Sequence, residues 1–158
     1  MTRSLAIGSA AILLASSILV HAQSKPLAPT PSIVTPAQLQ KASSLDGRLV
    51  AVTAQVRHTD TAQMFTFGEK SGYEMHVVIP HPATDAAHVG DTVAVTGFVR
   101  KFGGSEFEKD YSWFRRADYP DLKGGDWVIV ATSVRTPEGT ELVPPGVISN
   151  TPSAGKTP

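Results

Sequence analysis

From Leu49 to His58 the chain alternates, with Val50, Val52, Ala54 and Val56 on one face and Ala51, Thr53, Gln55 and Arg57 on the other. A period of two over this length predicts a strand with one buried face. Thr59-Asp60-Thr61-Ala62 has turn composition, and Met64-Phe65-Thr66-Phe67 predicts a second strand. A hairpin loop follows from Gly68 to Gly72. In the third strand Tyr73, Met75, Val77 and Ile79 alternate with Glu74, His76 and Val78 until Pro80 removes a ladder donor. Val93, Val95, Gly97 and Val99, interleaved with Thr92, Ala94, Thr96 and Phe98, predict a fourth strand, and Trp127-Val128-Ile129-Val130-Ala131 a fifth. Between these two the period changes. Ser105-Glu106-Phe107-Glu108 fits a capping box, and Phe107, Tyr111 and Phe114 recur at i, i+4 and i+7, predicting an amphipathic helix that Tyr119-Pro120 ends.

Five short strands, three of them a meander, and one helix confined to the connection between strands four and five predict a mainly β fold, a small barrel whose closure removes exposed edges. Prolines mark its limits: Pro26, Pro29, Pro31 and Pro36 crowd the start, and Pro137, Pro144, Pro145, Pro152 and Pro158 the end. The division expected is a signal segment over 1–22, a proline-rich linker with a short helix over 23–44, the barrel over 45–135 and a proline-rich tail over 136–158. The short helix rests on Thr35-Pro36, a cap followed by proline at the first helical position. The signal rests on Arg3, the uncharged run Leu5 to Val20, and the small-residue site Val20-His21-Ala22 before Gln23. Cleavage there yields a periplasmic or secreted protein with no stable membrane span; the alternative is an uncleaved segment retained as a membrane anchor.

Val89-Gly90-Asp91-Thr92-Val93-Ala94-Val95-Thr96-Gly97-Phe98-Val99 is similar to the Gly-Asp-x-Val-x-Val-x-Gly-x-Val stretch that opens the fourth strand of many OB-fold proteins. Phe65-Thr66-Phe67-Gly68, followed by a turn and an aliphatic strand, sits where that family has strands two and three. Over Leu45 to Arg135 the chain resembles a small exported bacterial OB-fold protein. It departs from the family twice: Pro82 to Val89 leaves space for little more than one turn where a helix is common, and the helix lies instead between strands four and five. The resemblance therefore implies a ligand-touching connection enlarged into a cover.

Charge and composition narrow the chemistry. The 158 residues carry 14 basic and 14 acidic side chains and no cysteine, which disfavours a polyanion-gripping surface and removes disulfides and thiolate chemistry. Nucleic acid is therefore not an expected partner. His58, His76, His81 and His88 share one half of the domain without a spacing that places two ligands on one surface, so no metal and no cofactor are expected. None of Ser43, Ser44, Ser71, Ser105, Ser112 or Ser133 lies in a Gly-x-Ser-x-Gly setting, and Asp60, Glu69, Asp85 and Asp91 occupy turn positions, so no catalytic residue is assigned. Gly103-Gly104 and Gly124-Gly125 bracket the helix as hinges.

What remains is a binding surface. Arg57, His76, Phe98, Arg100, Lys101, Trp113 and Arg115 are the candidate ligand-binding residues, since aromatic rings interleaved with cations are how OB-folds hold strands or sugars. The competing account packs Phe98 against Trp113 to seat the helix. The function expected is a non-catalytic binding or adaptor module for a small-molecule or protein partner in the cell envelope. The alternative is a small exported hydrolase or nuclease with its site under the long connection, Arg57, Asp60 and Arg100 being available to it.

Overall fold

A computed structural model describes residues 29–68, 74–80, 85–103 and 105–143, excepting the side chains of Ser105 and Glu106. The signal segment, the loop over 69–72, His81, the Ser105 cap and the tail beyond 143 lie outside the described residues.

The described chain runs β1 (Ser32–Ile33), α1 (Pro36–Leu39), a 3-10 turn (Ala42–Leu45), β2 (Leu49–Thr61), β3 (Met64–Gly68), β4 (Glu74–Val78), β5 (Thr92–Lys101), α2 (Ser105–Asp110), a second 3-10 turn (Arg116–Asp118) and β6 (Trp127–Arg135). The strands are ordered β1-β2-β3-β4-β6-β5, and β2 pairs with β5 to close the ring. The result is a closed five-stranded OB-like barrel. Its closure depends on the 13 residues of β2. The first half pairs antiparallel with β5 from Leu49↔Phe98 to Gln55↔Thr92, while the second half pairs with β3. Register shifts between Val56 and His58 and between Thr59 and Thr61 coil the strand from one neighbour to the other, as bulges do. β4 and β6 pair in parallel, which the intervening β5 and its connection make possible.

Alternation divides the side chains into two cores. The inward set, including Val50, Val52, Phe65, Phe67, Met75, Val77, Val95, Val99 and Ile129, fills the barrel. The second cluster lies on the outside, where Met64, Val78, Val128 and Val130 meet Phe102, Phe107, Tyr111, Tyr119 and Leu122 of the long connection.

Both proline-rich flanks supply core residues. Thr35 caps α1 as the sequence predicts, its hydroxyl accepting from Gln38 N while Gln38 Oε1 accepts from Thr35 N at 2.8 Å. Leu39 and Ala42 bury behind it, and Ser32–Ile33 adds a parallel strand against Val50 and Ala51. At the other end the chain turns at Thr136–Thr140, and Leu142 and Val143 enter the barrel core.

Glu141 clasps that return. One carboxylate oxygen accepts from Val134 N at 2.7 Å and Val143 N at 3.1 Å, and the other from Ser133 Oγ at 2.6 Å, with Arg135 Nε 3.5 Å away. Partial burial alone would raise its pKa, but these bonds outweigh it and hold the carboxyl below its ordinary 4.5. A carboxyl whose folded pKa is depressed stabilises the fold above the unfolded pKa and loses that contribution as the pH falls through the folded one. Amides of residues 134–143 should therefore lose hydrogen-exchange protection below the ordinary glutamate range, before those of β2 and β5 do. Glu141→Gln should abolish this pH dependence; an unchanged acid response in that variant would remove Glu141 as its source.

Candidate functional site

The barrel's outer face is a set of rows running across β3, β4, β6 and β5. Register places Met64, Val78, Val130 and Phe98 side by side in one row. The next outward row is Thr66, His76, Val128 and Arg100. Beyond it, Gly68 pairs with Glu74 at the open end. Cover decreases along this direction: Met64 and Val78 are fully buried, His76 is half-buried, and Glu74 is exposed. The second row is where the aliphatic face gives way to polar side chains.

The cover is the connection from Phe102 to Asp126. Its neck is clasped by Phe102 N to Asp126 O (2.7 Å) and Gly125 N to Phe102 O (2.9 Å). At Gly103, φ is +92° and a Cβ would stand 2.8 Å from Gly124 Cα, so these two of the glycines expected as hinges form a close backbone crossing that a side chain at Gly103 would block. The predicted helix is shorter than its stripe. α2 stops at Asp110; Tyr111 N still reaches Phe107 O at 3.1 Å, and Phe114 N then bonds Tyr111 O as a turn. Tyr111, Ser112, Trp113 and Phe114 are weak helix formers, and following the curved barrel face docks more ring area than a straight helix would.

The rings pack edge-on and tilted. Phe107 lies 5.3 Å from Phe102, 4.8 Å from Tyr111 and 5.2 Å from Phe114, and Phe114 stacks on Tyr119 at 5.0 Å and 12°. Tyr119 anchors the cap, donating its hydroxyl to Ile79 O at 3.2 Å. Burial pushes its phenol well above the ordinary range. Burial likewise raises Tyr111 to about 12, Arg100 opposing and Asp110 and Asp46 adding to the rise, so both phenols stay neutral at physiological pH.

At the boundary row, hydrogen-bonding capacity is left over. Thr66 Oγ1 and His76 Nδ1, on residues directly opposite each other, are buried and have no hydrogen-bond partner; the Tyr111 hydroxyl in the cap is in the same condition. An unpartnered buried polar group ordinarily costs about 1–3 kcal/mol. Arg100, closing the row, is satisfied: its Nη2 meets Asp110 Oδ2 at 2.7 Å, pinning the end of α2 to β5.

The candidates from the sequence distribute unevenly over this geometry. His76, Phe98 and Arg100 fall on the one outer face, Phe98 in the apolar row, where it is 8% exposed. Lys101 follows, exposed, at the end of β5 opposite Trp127. Trp113 lies in the cap, half-buried against Tyr111 (5.6 Å) and Phe114 (6.3 Å); no ring contact joins it to Phe98. Arg115 is exposed on the cap, whereas its neighbour Arg116 stacks over Phe102 at 4.6 Å. Arg57 is exposed on β2 at the register shift between Val56 and His58, and it is not itself paired with a row residue; from β2 it is His58 that stands opposite Thr66 and Thr61 opposite Met64.

Sequence reasoning passed over Thr66, Asp110 and the Tyr111 hydroxyl. Thr66 lies between two core phenylalanines on the outward phase of β3, and its burial at 2% exposure has no local signal. Asp110 carries a recoverable one: Arg100 is the sole arginine in β5, and the helix end ten residues on supplies an acid.

Among the described residues no group of three or more His, Asp or Glu side chains is placed to hold a metal, and no helix is long and apolar enough to cross a membrane. No protein-family profile matches the chain, and no curated protein matches it. Among solved structures it is similar to the hypothetical protein ygiW from E. coli, at 20% identity and a TM-score of 0.41, over 68% of this chain and 92% of that one. It is also similar to a putative aspartyl-tRNA synthetase from Leishmania major Friedlin (11% identity, TM-score 0.43, 74% of this chain and 22% of that one). The aspartyl tRNA synthetase from Entamoeba histolytica compares at 11% identity and a TM-score of 0.41, over 89% of this chain and 29% of that one. The fold assignment rests on the strand order and register above, not on likenesses at this level.

Proposed function

We propose that the chain is a non-catalytic binding module of the cell envelope, exported by its first 22 residues, whose barrel receives an uncharged ligand at the edge of the cap. The observation that carries this reading is the Thr66–His76 pair: adjoining polar groups at the mouth of an aromatic-lined face, buried and unpartnered. Hydroxyl and imidazole offer both donors and acceptors, and the rings beside them offer flat apolar area, a combination that suits hydroxyl- and amide-bearing molecules such as glycans. The guanidinium in the row is neutralised by Asp110, so an anion gains little there. Export is supported by Arg3, the uncharged run and the small residue Ala22 ahead of Gln23. The hydrolase or nuclease alternative would need Arg57, Asp60 and Arg100 to converge, but Asp60 meets His58 Nε2 at 3.0 Å on β2, while Arg100 on β5 is engaged by Asp110 at 2.7 Å.

Protein recovered from the envelope fraction should begin at Gln23 by mass spectrometry and should bind chitotriose, a soluble hydroxyl- and amide-rich probe, with backbone resonance shifts centred on Thr66, His76 and Arg100. Thr66→Val removes an unpartnered hydroxyl at nearly constant shape, so it should leave stability equal or about 1 kcal/mol higher while weakening chitotriose. Shifts confined to other residues, or a valine variant that binds as well as the parent, would overturn the reading.

A further inference from the structure

The segment from Ser32 to Arg48 wraps one side of the barrel and leaves a cavity of about 550 Å³ between β1, α1 and the first 3-10 turn. It shares no residue with the Thr66–Arg100 row. Its wall is chemically one-sided: among the described residues Lys41 and Arg48 are its charged lining, and no carboxylate lines it. Arg48 Nη2 donates to Ser32 Oγ at 3.2 Å, which fixes the guanidinium against the wall. Ser44 Oγ donates to Lys41 O at 2.8 Å, holding the backbone that carries the ammonium. Gln38 has its amide oxygen committed to the α1 cap, which leaves its NH2 as a donor on the same wall. The remaining lining is apolar, with Val34 and Leu45 each 9% exposed and Ile33 at the rim 89% exposed. Exposed large apolar side chains mark contact surfaces when they adjoin a cavity rather than standing alone.

We propose that this cavity binds a small amphiphilic anion, a carboxylate or phosphate joined to an apolar chain, with Lys41 and Arg48 holding the charged group and Ile33, Val34 and Leu45 the apolar part. Two cations without a counter-charge favour an anion, donors at Gln38 and Arg48 suit its oxygens, and the apolar floor excludes a bare inorganic ion as the preferred occupant.

Decanoate, kept below its micelle-forming concentration, is the probe, and calorimetry on the full chain is the measurement. Saturable binding is expected, weakened about tenfold or more by Lys41→Gln and by Arg48→Gln, as loss of a charge-assisted hydrogen bond implies. Ile33→Ser should weaken it too, and added salt should do so progressively. All three positions carry little buried side chain, and circular dichroism confirms that each variant is folded. Co-sedimentation with phosphatidylglycerol vesicles that is lost in Lys41→Gln would place the anion on a lipid; binding of monomeric decanoate without vesicle binding would place it on a free molecule. Absence of saturable decanoate binding, equal affinity for decanol, or undiminished binding by the folded Lys41→Gln, Arg48→Gln double variant overturns the proposal. Chitotriose binding at the outer face is read separately, so either site can fail without the other.

Discussion

Gly97→Ala should destabilise the protein by about 3 kcal/mol or more, measured as a drop in the urea midpoint at unchanged slope. Gly97 sits on β5 where the pairing with β6 slips by one residue between Thr96 and Gly97. A Cβ placed there would overlap the Val130 carbonyl oxygen, approach Ile129 Cγ2 to 2.6 Å and Ala131 Cα to 2.9 Å. Two of these neighbours are backbone inside a closed barrel, and a closed barrel has no free edge along which β6 can retreat. The entropic gain of replacing glycine, about 0.4–1 kcal/mol, is too small to offset such a clash. Gly124→Ala is the internal control: its Cβ would meet nothing within 4 Å, and its effect should stay within about 0.5 kcal/mol. Equal midpoints for the two variants would mean that β5 and β6 are not crowded at this point.

Phe107→Ala should have an effect of similar size but a different distribution. Phe107 is 2% exposed and touches the rings of Phe102, Tyr111 and Phe114, so truncation removes the centre of the outer cluster at about 3–5 kcal/mol. None of those partners belongs to the cluster inside the barrel. Hydrogen exchange should therefore show protection lost over residues 107–122, with the emission of Trp113 shifting toward that of an exposed indole, while amides paired between β2 and β5 stay protected. A uniform loss across the barrel would show that cap and barrel unfold as one unit.

The strands were legible because their determinant is local. Alternation at Val50 to Val56 and at Val93 to Val99 marks which side of each strand is buried, and a slip of one residue would exchange the faces. Pro80 bounded the third, but the turn expected over Thr59–Ala62 lies instead at Ala62–Gln63, because Thr59 and Thr61 still pair with β3. The helix was half legible: the positions Phe107, Tyr111 and Phe114 are buried together as their spacing predicts, yet the backbone leaves α-geometry at Asp110, because the surface they dock on is curved.

The candidate site divides in the same way. Phase alone places His76, Phe98 and Arg100 on the outward side of their strands. That these three share one face, in adjacent rows, follows from pairing β4 with β6 in parallel and β6 with β5 antiparallel, contacts between residues far apart in sequence, while the β3–β4 hairpin puts Thr66 beside His76. The cavity beside Lys41 and Arg48 has the same origin, since a proline-rich flank reads as a linker until Ser32 and Ile33 find an edge of β2. Sequence by itself determined the strand faces and the α1 cap, because each is decided by residues within a few positions of one another. Tertiary structure alone decided the rows across the barrel and the parallel strand at Ser32–Ile33, because each depends on which distant segment arrives to pair.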